Sequence, residues 1–255
     1  MTHHEGRLAG KIAVVTGGGR NVGEAIALRF AREGAKIAVV DLDKDRAQRT
    51  VDLVEQEAPG AAAAFVCDVS ESASVQDMAA AVAEAFGGVD ILVNNVAITD
   101  RGATVLDLDE DEWDRVLKVT LTSVFLCTKY VGKRIVETGR GGSVINIGST
   151  SGYRARPNAT AYPAAKAAVI NLTRSFAAQL APYGIRANSV TPNKVGSPVG
   201  QDVEPDDRKR KNLVGRGGQP EDIADAVLFL ASQESSFIDA TDLLVDGGVL
   251  HGPMD

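Results

Sequence analysis

Short apolar runs rich in β-branched residues alternate along the chain with longer segments of helical periodicity, and this alternation most strongly constrains the fold. Strands that alternate with helices form βαβ units around a parallel sheet. We therefore predict an α/β fold with one doubly wound parallel sheet and helices on both faces. The predicted strands are 11–16, 36–41, 63–68, 91–94, 143–147, 186–191 and 243–245. The predicted helices are 22–33, 44–57, 72–86, 109–137, 162–183 and 220–231.

The length and the charge agree with one such unit and argue against several classes of protein. The chain has 255 residues, a size at which α/β folds often form one domain, so we expect a single domain over residues 1–255. A net charge of −7 argues against a nucleic-acid-binding protein, which needs a basic face. The first ten residues are polar, and no apolar run is long enough to span a membrane. We expect a cytoplasmic protein with neither nucleic-acid nor membrane partners.

The two cysteines, Cys67 and Cys127, stand far apart and lack the paired spacing of a metal site. Neither a disulfide framework nor a structural zinc site fits this pattern. We expect both to be small buried apolar residues, and we expect no metal site.

The stretch 16–23, with the sequence TGGGRNVG, lies between the first predicted strand and the first predicted helix. A helix N-terminus presents unpaired N–H groups and a partial positive charge, so it attracts phosphate. A glycine-rich turn alone is a weak signal, because many tight turns carry glycine for conformational reasons. The strand before it and the helix after it predict the dinucleotide-binding turn of a Rossmann fold. The predicted cofactor-binding residues here are Gly17, Gly19, Arg20, Asn21 and Val22.

The acidic residue at the end of the second predicted strand, Asp41, indicates which cofactor binds. A carboxylate there accepts hydrogen bonds from both ribose hydroxyls and repels a 2′-phosphate, which favours NAD over NADP. Arg20 argues the other way, since a basic side chain near the adenine ribose attracts that phosphate. We give Asp41 more weight because its carboxylate would contact the ribose edge directly. The alternative is that Asp41 merely ends its strand.

The segment 145–169, INIGSTSGYRARPNATAYPAAKAAV, carries the candidate catalytic residues. Ser149 follows a predicted strand, and the spacing of Tyr162 and Lys166 places both on one face of a helix. A cation beside a phenol lowers the pKa of the phenol, which can then exchange protons near neutral pH. A serine hydroxyl can hold the substrate oxygen during that exchange. The alternative is an ordinary pair on a helix surface.

These residues, with several further motifs, resemble the short-chain dehydrogenase/reductase family over nearly the whole chain. The further motifs are Asp68-Val69, Asn94-Asn95-Val96-Ala97, Pro192 and Val245-Asp246-Gly247-Gly248. The resemblance implies reversible hydride transfer between NAD and a small-molecule alcohol or ketone. It also implies that Tyr162 is the general acid/base, that Lys166 lowers its pKa and binds the nicotinamide ribose, and that Ser149 orients the substrate oxygen. The other cofactor-binding residues that it implies are Asp68, Val69, Asn95, Ala97, Pro192 and Val195.

Thr120 departs from the family pattern at a catalytic position. The family commonly carries an Asn there, whose role is to hold a water that links the active-site Lys to solvent. In this chain either the backbone carbonyl or the hydroxyl of Thr120 would take that role, so we include Thr120 among the catalytic residues. If neither does, the chain is an NAD-binding protein with weak or no turnover, which is our alternative hypothesis.

Asn21 departs from the pattern in the glycine-rich turn, where the family usually has its middle Gly. Asn tolerates left-handed backbone angles better than most residues, so we expect the turn to form. The Asn21 amide would then either cap the helix or touch a phosphate oxygen. Asn193 after Pro192 replaces a further family Gly.

The predicted helix is apolar on more than one face from 162 to 180, and this pattern bears on assembly. A helix that is apolar all round is buried on both sides, so we expect a second subunit to cover it. The alternative is that small alanines are simply exposed. The family resemblance implies a homotetramer or a homodimer.

The substrate pocket is expected to use residues 99–101 and 151–158 and a loop at 193–218, which directly follows a strand end. Three arginines, Arg101, Arg154 and Arg156, would lie near its mouth. They would select a carboxylate or a phosphate on the substrate. The alternative is that they are solvated or lie at a subunit contact.

Overall fold

The structure, a computed structural model, describes residues 6–100, 102–197, 199, 201 and 212–252. Seven strands in these residues pair in parallel throughout. They are β1 (Ile12–Thr16), β2 (Lys36–Asp41), β3 (Ala62–Val66), β4 (Ile91–Asn94), β5 (Gly142–Ile147), β6 (Ile185–Pro192) and β7 (Asp242–Val245). The strand order is β3-β2-β1-β4-β5-β6-β7, which confirms the predicted doubly wound sheet.

Helices cover both faces of the sheet, as predicted. They are α1 (Asn21–Arg32), α2 (Lys44–Glu57), α3 (Ser72–Phe86), α4 (Glu110–Leu117), α5 (Ser123–Thr138), α6 (Ala161–Leu180) and α7 (Pro220–Ala231). α1, α2 and α7 pack on one face, and α3, α5 and α6 pack on the other. Strand residues alternate between these two cores: Ala13 and Val15 join the first and Val14 joins the second.

The prediction of one continuous α-helix over 109–137 is wrong. α4 ends at Leu117, the π-helical turn Lys118–Thr122 follows, and α5 begins at Ser123. A π turn widens the helix locally without needing Gly or Pro, so the apolar periodicity passes over it. The turn contains Thr120, which is buried.

The helix at 162–180, predicted to be apolar on more than one face, buries one face in the core and leaves another face exposed. Residues 161, 165, 169 and 176 of α6 are buried, whereas Ala164, Ala167, Asn171 and Arg174 are exposed. The exposed face therefore mixes small and polar side chains. The α-helix ends at Leu180 and is followed by the short 3₁₀ turn Ala181–Tyr183.

The strand order reverses at β1, which lies between β2 and β4. In an open parallel sheet, a crevice forms at such a point, outside the carboxyl ends of the strands. The glycine-rich turn follows β1, residues 95–100 follow β4, and Ser149 follows β5. The fold thus brings these three segments to one edge of the sheet.

The cysteines behave as the sequence predicts. Cys67 and Cys127 are buried and free, and burial raises the pKa of both thiols. Among the described residues, no three His, Cys, Asp or Glu side chains cluster as metal ligands would. In the same part of the chain, every helix is too short or too polar to cross a membrane.

Candidate active site

A cleft of about 940 Å³ opens along the carboxyl edge of the sheet. Sequence-predicted site residues make up much of its wall: Gly17, Arg20, Asn21, Val22, Asp41, Asp68, Val69, Asn95, Ala97, Ser149, Tyr162, Lys166, Pro192 and Val195. Gly19 and Thr120 lie behind this wall rather than in it. A cleft of this size is sufficient for an extended cofactor together with a small substrate.

The glycine-rich turn has the backbone shape that a pyrophosphate requires. Gly17 has a φ of +60°, in the left-handed region. A Cβ added to Gly23 would lie 2.0 Å from the carbonyl oxygen of Gly17, so only glycine lets α1 approach the turn this closely. No side chain caps the N-terminus of α1, which leaves its first N–H groups directed at the cleft. These features fit an anionic cofactor at the turn.

Asn21 adopts a φ of +51°, which confirms that Asn can occupy the left-handed position of this turn. Its side chain does not cap α1, so that alternative is wrong. Instead, Nδ2 donates to the Ser197 hydroxyl at 2.7 Å and to the Ser197 carbonyl oxygen at 3.2 Å. Asn21 therefore ties the glycine-rich turn to the loop after β6, across the cleft.

The carboxylate of Asp41 is held at the opposite end of the cleft from β6. Its Oδ2 accepts a hydrogen bond from Gly19 N at 3.0 Å, and its Oδ1 accepts one from Asp43 N at 3.1 Å. These bonds fix the carboxylate beside the glycine-rich turn, where it lines the cleft. Arg20 and Arg46 line the same end.

Ser149, Tyr162 and Lys166 meet in one buried group, with exposed fractions of 8%, 5% and 2%. Ser149 lies close enough to the phenol of Tyr162 to lower its pKa. Lys166 Nζ lies 5.9 Å from the centroid of the Tyr162 ring and donates to the Ile147 carbonyl oxygen at 2.6 Å. The fold thus assembles the three side chains that the sequence singled out.

Burial shifts the pKa of both titratable groups in this trio. It raises the pKa of Tyr162, against the smaller opposing effects of Ser149 and of the Arg156 charge. Burial lowers the pKa of Lys166 to about 8. The expected lowering of the Tyr162 pKa is therefore reversed here, because removing the phenolate from water outweighs the effects of Ser149 and of the Arg156 charge.

Asp100 lies in the predicted substrate segment 99–101, and it makes a contact that the sequence patterns do not reveal. Its buried carboxylate accepts hydrogen bonds from the backbone N–H groups of Thr160, Ala161 and Tyr162, the last two at 2.7 Å. Although burial opposes ionisation, these three bonds lower the pKa of Asp100. α6 has no side-chain cap of its own at Thr160, so a carboxylate distant in sequence takes that place. No local motif signals such a contact.

The loop after β4 is also fixed from its other side by Thr120. The fully buried hydroxyl of Thr120 donates to the Ile98 carbonyl oxygen at 2.9 Å and accepts from Ile98 N at 3.0 Å. Asn95 Nδ2 donates to the carbonyl oxygens of Thr16 and Gly17, both at 3.1 Å. The loop thus connects the glycine-rich turn, the π turn and the start of α6.

The end of the cleft predicted to hold the substrate contains a hydroxyl without a hydrogen-bond partner and two of the three predicted arginines. Thr99 lines the cleft, and its Oγ1 is the buried side-chain atom without a partner in the described part of the chain. Arg154 donates to the Val249 carbonyl oxygen, and the guanidinium carbon of Arg156 lies 5.8 Å from the Tyr162 ring centroid. Arg101 lies outside the described residues, as do 198, 200 and 202–211 of the predicted substrate loop.

Comparison with known proteins agrees with this geometry. Residues 17–250 match the family model described as enoyl-(acyl carrier protein) reductase. The chain is 40% identical to the (3R)-3-hydroxyacyl-CoA dehydrogenase of Canis lupus familiaris, across 95% of this chain and 97% of that protein.

Two solved structures show the same fold. Carveol dehydrogenase from Mycobacterium avium, in complex with NAD, superposes with a TM-score of 0.90 at 30% identity, covering 97% of this chain and 100% of that chain. A short-chain type dehydrogenase/reductase from Mycobacterium marinum has a TM-score of 0.87 at 32% identity, covering 96% and 97%. The chain belongs to the short-chain dehydrogenase/reductase family of oxidoreductases.

Proposed function

We propose that this protein is an NAD(H)-dependent oxidoreductase that interconverts a secondary alcohol and a ketone on a small molecule. The observation that carries the proposal is the buried group of Ser149, Tyr162 and Lys166 in the same cleft as the glycine-rich turn. The relatives named as hydroxyacyl-CoA and carveol dehydrogenases support the reaction class.

The cofactor proposal rests on the two ends of the cleft. The glycine-rich turn and the uncapped start of α1 would hold the pyrophosphate, and Asp41 would accept hydrogen bonds from the adenine ribose. When bound, the nicotinamide supplies or takes up the hydride. We favour NAD over NADP because a 2′-phosphate would meet the Asp41 carboxylate. A relative whose structure contains NAD agrees with this choice.

We propose further contacts to the cofactor from residues that line the cleft. The proposed contacts are Asp68 and Val69 at the adenine, Asn95 and Ala97 along the cleft, Lys166 at the nicotinamide ribose, and Pro192 and Val195 at the nicotinamide.

The proton steps belong to Tyr162. During ketone reduction its phenol gives a proton to the substrate oxygen, which the Ser149 hydroxyl holds in place. A raised pKa keeps the phenol protonated at neutral pH, which suits this direction. Alcohol oxidation needs the phenolate instead, so it is expected to be faster at alkaline pH.

A second candidate function is NAD binding with weak or no turnover. One observation favours it: the only hydroxyl proton of Thr120 is committed to Ile98, so this hydroxyl cannot donate to a relay water. The Thr120 backbone carbonyl is then the group left to hold such a water.

We also propose that the chain forms a homotetramer or a homodimer. The exposed alanines of α6, Ala164 and Ala167, would let a second backbone approach closely. A cytoplasmic location remains a prediction.

The proposed function is tested by titrating NADH and NADPH calorimetrically into three proteins: wild type, Tyr162→Phe and Asp41→Ala. We expect wild type and Tyr162→Phe to bind NADH alike, and Asp41→Ala to shift preference toward NADPH. A panel of secondary alcohols and ketones should then be turned over by wild type but not by Tyr162→Phe. Binding of NADH without any turnover would favour the second candidate, and no binding of either cofactor would refute both.

A further inference from the structure

The cationic side chains that line the cleft are not equivalent, because most of them already have a partner. Lys166 bonds to the Ile147 carbonyl oxygen, Arg154 to the Val249 carbonyl oxygen, and Arg115 to both carboxylate oxygens of Glu112. Arg20, Arg46 and Lys194 are engaged as well. Among the described lining residues, Arg156 alone has a guanidinium with neither a hydrogen bond nor an ion pair. Its contact is with the face of the Tyr162 ring.

The position of this guanidinium relates it to the reacting atoms. Its central carbon lies 5.8 Å from the centroid of the Tyr162 ring, close enough for its charge to act on the phenol. A substrate oxygen bound to the phenol and to Ser149 would therefore lie on the side of the cleft that holds a guanidinium whose donors are still available.

The charge of the cleft differs between its two ends. The acidic side chains among the described lining residues are Asp41 and Asp68, which lie at the end of β2 and after β3, on the adenine side of the switch point. Ser149 and Tyr162 lie on the other side, after β5. The described wall there has no carboxylate to neutralise Arg156, so its positive charge is available to a ligand.

We infer that the substrate carries a carboxylate one or two carbons from the reacting carbon, and that Arg156 binds it. This inference rests on the proposed function and names its substrate class: short 2- or 3-hydroxy acids and the corresponding oxo acids. The flat guanidinium fork matches the two oxygens of a carboxylate. A single available cation balances one negative charge, whereas a phosphate monoester carries nearly two.

The experiment compares matched pairs of substrates that differ only in the charge. The pairs are 3-hydroxybutyrate with its methyl ester and lactate with its methyl ester, each as both enantiomers, with kcat and KM measured separately. We expect wild type to prefer an acid over its ester. Arg156→Gln should raise KM for the acid about 10- to 100-fold, as loss of a charge-assisted hydrogen bond does, with little change for the ester. Arg156→Lys should restore part of the loss.

Arg154→Gln is the matched control, since Arg154 lines the same cleft two residues away but is already bound to Val249. We expect this variant to leave the ratio of kcat/KM for the acid to kcat/KM for the ester nearly unchanged. An equal loss of the preference for the acid in both variants would mean that the acid responds to the overall positive charge of the cleft and not to a binding site at Arg156. That result would overturn the inference. A loss that is equal for acid and ester in Arg156→Gln would mean that Arg156 only stacks on Tyr162, and would also overturn it.

A binding measurement separates failure of this inference from failure of the proposed function. Acetoacetate, pyruvate and inorganic phosphate are titrated into the enzyme with NAD⁺ present, because the oxidised cofactor cannot reduce the oxo acids and binding is measured without turnover. Binding of an oxo acid that Arg156→Gln weakens supports the inference. Absence of oxo-acid binding, or binding of phosphate alone, overturns it, while turnover of neutral alcohols would leave the proposed function standing.

Discussion

The carboxylate of Asp100 accepts a hydrogen bond from the backbone N–H of Tyr162 at 2.7 Å, so the loop after β4 is joined directly to the residue at the centre of the site. The same carboxylate holds the N–H of Ala161 at 2.7 Å. A negative charge at a helix N-terminus is stabilised by the unpaired N–H groups and by the helix dipole. Asp100 therefore sets where α6 begins, and with it the direction of the Tyr162 side chain.

Replacing Asp100 should affect stability and turnover in different ways. Asp100→Ala removes all three bonds and should lower the free energy of unfolding by about 2–4 kcal/mol. Asp100→Asn keeps one acceptor oxygen but turns an NH₂ group toward an N–H donor. We expect Asp100→Asn to remain folded with kcat reduced about 10- to 100-fold and little change in NADH affinity, because Tyr162 is displaced. Thermal unfolding, calorimetry and steady-state kinetics measure the three quantities.

The pH dependence of unfolding gives an independent check on Asp100. Its pKa in the folded protein is lower than the ordinary value of 3.8, so its contribution to stability is present above that value. The contribution is lost as the pH falls through the folded pKa. The difference in free energy of unfolding between wild type and Asp100→Asn should therefore shrink below about pH 4. An unchanged difference from pH 7 to pH 3 would contradict an ionised cap.

Thr120→Val should destabilise the protein and impair turnover, because both backbone groups of the part-buried Ile98 would lose the hydroxyl that pairs with them. A loss of about 2–4 kcal/mol in the free energy of unfolding is expected. Thr120→Ser keeps the hydroxyl and should behave nearly as wild type. Thr120→Asn offers one donor and one acceptor as the hydroxyl does. If its turnover rises greatly, the relay is impaired in the natural chain.

Lys166→Met should raise stability while removing activity. Burial lowers the pKa of Lys166 from 10.5 to about 8, a difference that corresponds to about 3 kcal/mol for the charged form at pH 7. This destabilisation is constant below the pKa of Lys166 in the folded protein. It disappears as the pH rises from about 8 to 10.5, because over that range the unfolded chain binds more protons than the folded protein does. Wild type should gain stability over that range and Lys166→Met should not. Chemical denaturation of both proteins at pH 7 and pH 10.5 tests the sign.

Asn21→Gly should leave the glycine-rich turn intact and loosen the loop after β6. Glycine accepts a φ of +51° without strain, so the turn itself is not at risk. The two bonds from Asn21 to Ser197 are lost, however. We expect faster NADH dissociation in a stopped-flow experiment, with Ser197→Ala as the matched variant that removes the hydroxyl partner of Asn21 together with the bond from that hydroxyl to the Gln201 carbonyl oxygen. Unchanged dissociation in both would show that this tie does not control the cleft.

The local patterns of the sequence were sufficient for the framework of the fold and for its main chemical groups. Alternating periodicities indicate the parallel sheet, and glycines between β1 and α1 indicate the cofactor turn. The spacing of Tyr162 and Lys166 follows from one turn of a helix. Each of these inferences depends on residues within about four positions of one another, where chain geometry alone fixes the neighbours.

Contacts between distant segments were decided only by the tertiary structure. Asp100 caps a helix that begins 61 residues later, and Asn21 bonds to a loop 176 residues away. Arg154 and Arg156 look alike in sequence, yet one is bound to Val249 and the other faces Tyr162. The sign of the Tyr162 pKa shift likewise depends on how completely packing removes water from the phenol. Such outcomes depend on which side chains the packed elements bring together, a property of the whole chain that no local spacing contains.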